Sequence, residues 1–534
     1  MRRIILKYYP LLTIIIPFVL FIIPTAFINN NYLNLAIAQH IDSGALLESL
    51  FSMLKKDSFY NQNVGYQSSF YGFPFNSLLF WWFVFLNKLL KLDIVRDFPI
   101  YATSSRIIST LISVIILWIV YIFSSKFYKS NKIAFVITFL LAIFPGFSFY
   151  STIVKPDQAA LLFCIISFYF MYRFLLSNKS INYISAAILS FLALFTKQPY
   201  VFLFIPLFFG YWLNNNKITK ITSLSIQLLK NFLITLLVLL PIIFIIHPYI
   251  FLHPQTYIFR QKQLTNMFNA PISENFKYWI ILYKNWPIIL IGYFSSFFFS
   301  ISYFFVKSKS KQVKILFLLS TFILIYTSWL TLKVGPIRGP AYLMPNYLAS
   351  LFVIFFLLKQ AFIFVKKNLN NKTYFIIKFS LFVILFVTIT VIFINSTLFI
   401  QDSVNTINES SYSFNNSLQV QVAKNLISSK IYYKPINQTK VVYSASIPVV
   451  DHQYKEIKNN WLFGTDVELI INLVKYNPDI IIIDTSKWYE LPFEKWNFIA
   501  KKIGLTKTRF YSKSSNSAIN NTYKENESII IYYK

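Results

Sequence analysis

Glycine, acidic residues and cysteine are all scarce in this 534-residue chain. With only 10 glycines, a Gly-rich loop that cradles nucleotide phosphates is not to be expected, and no such motif is present. The single cysteine, Cys164, lies inside an apolar run and can form no intramolecular disulfide. The histidines number 4, and His40, His247 and His253 lack the spacing of zinc ligands, which argues against a metal centre built on them. Charge as a whole is low, at 13% of residues. What replaces it is apolar: 56% hydrophobic, 20% aromatic, with a mean hydropathy of +0.55. A water-soluble globule could not cover that much apolar surface, so lipid is the expected solvent for most of the chain.

The balance of charge is strongly basic, +31 from 50 Lys and Arg against 19 Asp and Glu. The lysines are spread through short loops between hydrophobic runs, which is the pattern of positive loops beside an anionic leaflet. Nucleic acid is therefore not an expected partner. Pro10 to Ile28 carries no charge over 19 residues, enough for a helix to cross a ~30 Å hydrocarbon core. No small-residue cleavage site follows, so an uncleaved anchor is expected. Arg2, Arg3 and Lys7 precede it and predict a cytoplasmic N-terminus.

Alternation of apolar runs and basic loops then predicts spans near Arg106–Ser124, Ile133–Val154 and Gln158–Leu176. A hairpin of two short helices follows, Tyr183–Phe195 and Tyr200–Leu213. Further spans are expected near Phe232–Ile246, Trp286–Val306, Ile315–Leu332, Tyr342–Val365 and Tyr374–Ile400. The apolar stretch Asn76 to Leu92 is assigned to the interface or to a re-entrant segment. Only then does the basic loop Lys126–Lys132 fall in the cytoplasm. The expected fold is an all-α polytopic membrane protein of about 11 transmembrane helices, occupying residues 1–400, with a first external loop at 29–103. After Gln401 polar residues dominate, and residues 401–534 read as a small extracytoplasmic α/β domain. Strands are expected at Lys440–Ser446, Asp479–Asp484 and Ser528–Tyr533, and helices at Asp466–Tyr476 and Glu494–Ile503. Asp451 and Asp484 read as turn residues.

The same parity puts two acids on the external face: Asp42, just beyond the first span, and Asp157 in Lys155-Pro156-Asp157-Gln158. A carboxylate at a membrane surface can act as a general base on an incoming hydroxyl or help to hold a divalent metal. Alone, Asp42 is equally an N-cap for a helix beginning at Ser43; the partnership with a second acid at the edge of lipid raises it to a functional candidate. Glu48 is a weaker candidate, and Lys155 is an ion-pair partner for Asp157 or a phosphate ligand.

Several motifs in order resemble the integral-membrane glycosyltransferases of the C superfamily, nearest the protein O-mannosyltransferase and aminoarabinose transferase group. Asp42-Ser43-Gly44-Ala45-Leu46-Leu47 is similar to that family's first acidic motif, although Ser43 stands where a second acid is usual. Tyr71-Gly72-Phe73-Pro74-Phe75 resembles its aromatic-proline element, without the double proline. Arg106 opens a span. Phe144-Pro145-Gly146-Phe147 through Lys155-Pro156-Asp157-Gln158 resembles the second acidic motif. Thr196-Lys197-Gln198-Pro199 resembles its threonine-lysine turn, and Arg338 with Tyr342 and Pro345 its late arginine-tyrosine-proline element.

The resemblance covers residues 5 to 400. It implies transfer of a sugar from a polyprenyl-phosphate carrier to a lipid, glycan or protein acceptor on the external face of the cell membrane. Asp42 and Asp157 would then be catalytic, and Lys197, Arg338 and Lys333 would neutralise the lipid phosphate. A divalent metal is possible in such a site, but Ser43 weakens the case for one. The rival readings are a transporter or lipid flippase, or an assembly subunit that keeps the fold without catalysis.

Overall fold

The computed structural model describes chiefly residues 9–20, 73–92, 98–214, 221–246, 272–306, 310–333, 340–368, 438–443, 456–459, 473–484, 493–512 and 528–534. Asp42, Glu48, Arg338, the three loop histidines, Asp451 and almost all of the expected span Tyr374–Ile400 lie outside the described residues. The helices α1 (Tyr9–Leu20) and α2 (Phe73–Leu90) precede the main bundle. The bundle comprises α3 (Phe98–Tyr128), α4 (Asn131–Ile143), α5 (Asp157–Ser177), α6 (Ser180–Thr196), α7 (Phe204–Asn214), α8 (Ile221–Ile246), α9 (Ile272–Asn285), α10 (Pro287–Val306), α11 (Lys311–Lys333) and α12 (Met344–Asn368). Among the described residues, four helices are long and apolar enough to cross a membrane, or five if one bent pair is a single span. The protein is mostly helical, as its composition requires.

That bent pair corrects one expectation. The expected span Ile133–Val154 is not straight: α4 stops at Ile143 and the chain turns by 67° into a short helical segment, Pro145–Ser151. The cause is local. Pro145 offers no N–H to extend the helix and biases Phe144 toward extended backbone, where it is found (ψ 121). Packing fixes the break: the Phe144 ring stacks on Tyr347 of α12 at 4.1 Å, and the Tyr347 hydroxyl donates to the Leu140 carbonyl at 3.2 Å.

The tight hairpin α5–α6 is closed by Asn178, which adopts the left-handed conformation (φ 54, ψ 23) and donates its N–H to Phe174 O. Between the two helices, the Ser167 hydroxyl donates to Ala186 O and lies 2.8 Å from Ser190 Oγ, so the polar groups of this lipid-solvated pair satisfy one another. Elsewhere, small residues let backbones close up. Gly292 of α10 lies so near Ser350 of α12 that a Cβ there would overlap it.

After the bundle the chain forms a five-stranded sheet from β1 (Lys440–Tyr443), β2 (Glu456–Asn459), β3 (Ile480–Asp484), β4 (Lys507–Ser512) and β5 (Ser528–Tyr533), with spatial order β2-β1-β3-β5-β4. The β1 strand runs parallel to β2 and β3, while β5 runs antiparallel to β3 and β4. Ile480 to Ile483 are buried on both faces, as a central strand should be. Helix α13 (Phe493–Lys502) packs Trp496 and Ile499 onto Ile481, Ile483 and Ile530. Strands β1, β3 and β5 and helix α13 fall near their expected positions. Strands β2 and β4 were missed because Glu-Ile-Lys-Asn and the charged start of β4 carry little apolar signal.

Candidate functional site

The hairpin is what builds the site. Because α5 and α6 are antiparallel and joined by two residues, the first residue of α5 and the residue ending α6 meet at the open end. Those residues are Asp157 and Lys197. Asp157 sits in the first turn of α5, where the positive end of the helix dipole favours a carboxylate. Lys197 is the C-cap of α6, extended at φ −155, with its N–H donating to Ala193 O, at the end where a cation is favoured. Their side chains form an ion pair in which Lys197 Nζ donates to Asp157 Oδ1. Both are almost wholly buried, at 6% and 3% exposure.

A third element closes the cluster. The turn Pro340–Leu343 ahead of α12 lays the Tyr342 ring against the lysine, its centroid 3.7 Å from Nζ. The Tyr342 carbonyl in turn accepts from the Tyr326 hydroxyl of α11 at 3.1 Å. Tyr200, in the turn after Lys197, and Tyr326 are both buried. Gln158, the next residue of α5, donates from Nε2 to Phe147 O at 2.9 Å and ties the hairpin to the short segment after the α4 break. Five parts of the chain thus converge on one buried carboxylate.

The expected site residues are distributed as follows. Asp157 and Lys197 come together directly. Lys155, expected as an ion-pair partner for Asp157 or a phosphate ligand, lies with its Nζ 5.6 Å from the centre of the Tyr150 ring, while Lys197, forty residues after Asp157, pairs with the acid. Lys333 is exposed at the end of α11. Asp42, Glu48 and Arg338 are outside the described residues, though Tyr342, four residues after Arg338, reaches the site. Arg106 is buried on α3, at 2% exposure. Tyr342 stands in the late arginine-tyrosine-proline motif without a role of its own in the sequence reading, because its approach to Lys197 exists only in the fold. Among the described residues, no group of three His, Cys, Asp or Glu side chains gathers as a metal would need, and the one buried carboxylate at the site is already matched by a cation. The described donor set does not fit a divalent ion.

Residues 98–245 match the model of a family described as dolichyl-phosphate-mannose-protein mannosyltransferase. Among solved structures, ArnT from Cupriavidus metallidurans bound to undecaprenyl phosphate is 9% identical, with a TM-score of 0.49 over 96% of this chain and 97% of that one. ArnT from the same organism in the apo state is 11% identical, with a TM-score of 0.49 over 92% and 93%. The Archaeoglobus fulgidus oligosaccharyltransferase, in complex with Zn and sulfate, is 12% identical, with a TM-score of 0.40 over 85% and 65%. No curated protein matches the chain. The segment matched by the family holds both Asp157 and Lys197, and through it the chain is similar to the dolichyl-phosphate-mannose-protein mannosyltransferases.

Proposed function

We propose that this chain transfers a sugar from a polyprenyl-phosphate donor to a lipid, glycan or protein acceptor at the external face of the cell membrane. The observation that carries the reading is the buried Asp157–Lys197 pair at one end of the bundle, both residues inside the family-matched segment, with the Tyr342 ring from outside that segment against the lysine. An ion pair at the edge of lipid is expensive to maintain for structure alone. A carrier phosphate, by contrast, needs a buried cation where it docks.

In this mechanism the acceptor oxygen attacks the anomeric carbon, the bond from that carbon to the phosphate oxygen breaks, and polyprenyl phosphate leaves with the electron pair. Asp42 takes or orients the acceptor proton, and Asp157 supports the acceptor, with Glu48 in reserve. Lys197 and Arg338 offset the charge of the departing phosphate, helped by Lys333 and Lys155 at the rim. No step is assigned to a metal. The topology that goes with this reading has about 11 spans, a cytoplasmic N-terminus and an external domain over residues 401–534 that recognises or shields the acceptor.

The test is release of polyprenyl phosphate from a panel of labelled polyprenyl-phosphate sugars, with crude membrane acceptors present. Turnover in the native protein that vanishes in a folded Asp42→Asn variant supports the assignment. Turnover unchanged by Asp42→Asn moves the base to Asp157 or Glu48. No release from any donor sinks the transferase reading in favour of a transporter or an assembly subunit.

A further inference from the structure

The end of the bundle opposite Asp157 is basic and has almost no acid to balance it. Between Asp97 and Asp402 the sequence contains only two acidic residues, Asp157 and Glu274. Asp157 is committed to Lys197 at the other end. Three lysines of the basic end are occupied by helix carbonyls: Lys311 Nζ donates to Leu176 O at 2.5 Å, Lys314 Nζ to Leu213 O at 2.7 Å and Lys359 Nζ to Tyr128 O at 2.8 Å. Each stands at the C-terminal, negative end of a neighbouring helix.

Lys126 and Arg173 are different. They come from separate helices, α3 and α5, and both donate to the same neutral atom, the Tyr169 hydroxyl oxygen, at 3.2 and 3.5 Å. Both are exposed, and neither forms an ion pair among the described residues. The phenol is held in place by an edge-to-face contact with Phe123 at 5.9 Å. The result is two cations about one point, aimed by a shared hydroxyl and left without a counter-charge.

A second feature points to what supplies that charge. Ile107, Leu111, Ile115 and Trp118 are exposed by 40–55% along one face of α3, and the same broad face ends at Lys126. From Ile115 to Lys126 the helix rises about 16 Å, close to one leaflet of a ~30 Å hydrocarbon core. An acyl chain lying on this stripe brings its headgroup phosphate to the two cations.

We propose that Lys126, Arg173 and Tyr169 form a binding site for the phosphate of an anionic diacyl phospholipid, with its acyl chain against Trp118 and Ile115. The site is separate from the Asp157 centre and does not depend on the proposed transfer reaction. Guanidinium and ammonium together suit a phosphodiester, and the phenol adds a hydroxyl to its rim.

The experiment is native mass spectrometry of the full chain in detergent with phosphatidylglycerol or phosphatidylcholine added. The expected result is retention of phosphatidylglycerol over phosphatidylcholine, weakened roughly tenfold or more by Lys126→Gln with Arg173→Gln. Both positions are exposed, so the variant should fold, and its thermal unfolding midpoint checks this. The control removes two other exposed lysines of the same end, Lys132→Gln with Lys179→Gln, and should retain the lipid. Equal loss in the control would reduce the site to general basic attraction and overturn the proposal. So would undiminished binding in the Lys126/Arg173 variant, equal retention of phosphatidylcholine, or displacement of the lipid by millimolar inorganic phosphate.

Discussion

The two ends of the helical bundle hold their cations in opposite ways. At one end Lys197 is buried against a carboxylate and an aromatic ring. At the other, Lys311, Lys314 and Lys359 reach carbonyls at helix C-termini, and Lys126 and Arg173 share a phenol. A cation on a carbonyl can be replaced by water where the bundle meets its surface. A cation on a buried carboxylate cannot be removed without leaving a charge behind. Physics therefore makes the first end costly to alter and the second tolerant, and function is expected where the cost has been accepted.

The largest effect should come from breaking the pair on one side only. Lys197→Met takes from the buried Asp157 the cation that pairs with it, which should cost about 3–5 kcal/mol, visible as a lower unfolding midpoint in detergent. Polyprenyl-phosphate release should fall by roughly 10²–10³, as when a charge-stabilising donor is lost from an active site. Removing both charges separates the two effects. Asp157→Leu with Lys197→Met should return the unfolding midpoint to near its original value while turnover stays lost. Recovery of turnover together with stability would make the pair a structural strut and would erase the contrast between the ends.

Tyr342 should give a smaller effect of the same kind. Tyr342→Leu removes the ring from beside Lys197 and should lower stability by about 1–2 kcal/mol, whereas Tyr342→Phe keeps the ring and should stay near the original midpoint. Unfolding scans on the two variants check this. If Leu and Phe behave alike, the ring is not what holds the lysine.

How far this site could be read from sequence follows from the ranges over which its parts interact. Asp157 and Lys197 were each legible, because a charged residue at the edge of an apolar run stands out. Their partnership was not, since it depends on the two-residue turn at Asn178 bringing the outer ends of α5 and α6 together. From sequence alone Lys155 is the nearer cation, and it stands there as either an ion-pair partner or a phosphate ligand. The spans of α3, α5, α11 and α12 were visible as uninterrupted apolar runs. The break at Phe144 was missed although Pro145 announced it, because the run stays apolar through the kink. In the C-terminal sheet the isoleucine-rich β3 and β5 were readable, while β2 shows only Ile457 between polar neighbours, and its parallel register with β1 supplies what its sequence does not.

The smallest effect should come from the basic end, and its smallness is the informative part. Lys359→Met removes one donor from Tyr128 O, at a point where the chain also turns through left-handed Lys129 (φ 51). The Tyr128 side chain keeps its own bond to Phe352 O, so α3 and α12 remain tied. The loss should be about 1 kcal/mol or less, the ordinary worth of one hydrogen bond with a helix-end charge. Release of polyprenyl phosphate should remain within about twofold of the native rate, since K359 shares no contact with the Asp157 cluster and a change of that size is only ~0.4 kcal/mol in a barrier. A loss of turnover comparable to that of Lys197→Met, with the midpoint unchanged, would mean that the two ends communicate through α12. Tyr347 would then be the place to look, because its ring holds the Phe144 break that leads into Asp157 while its backbone belongs to the same helix as Lys359.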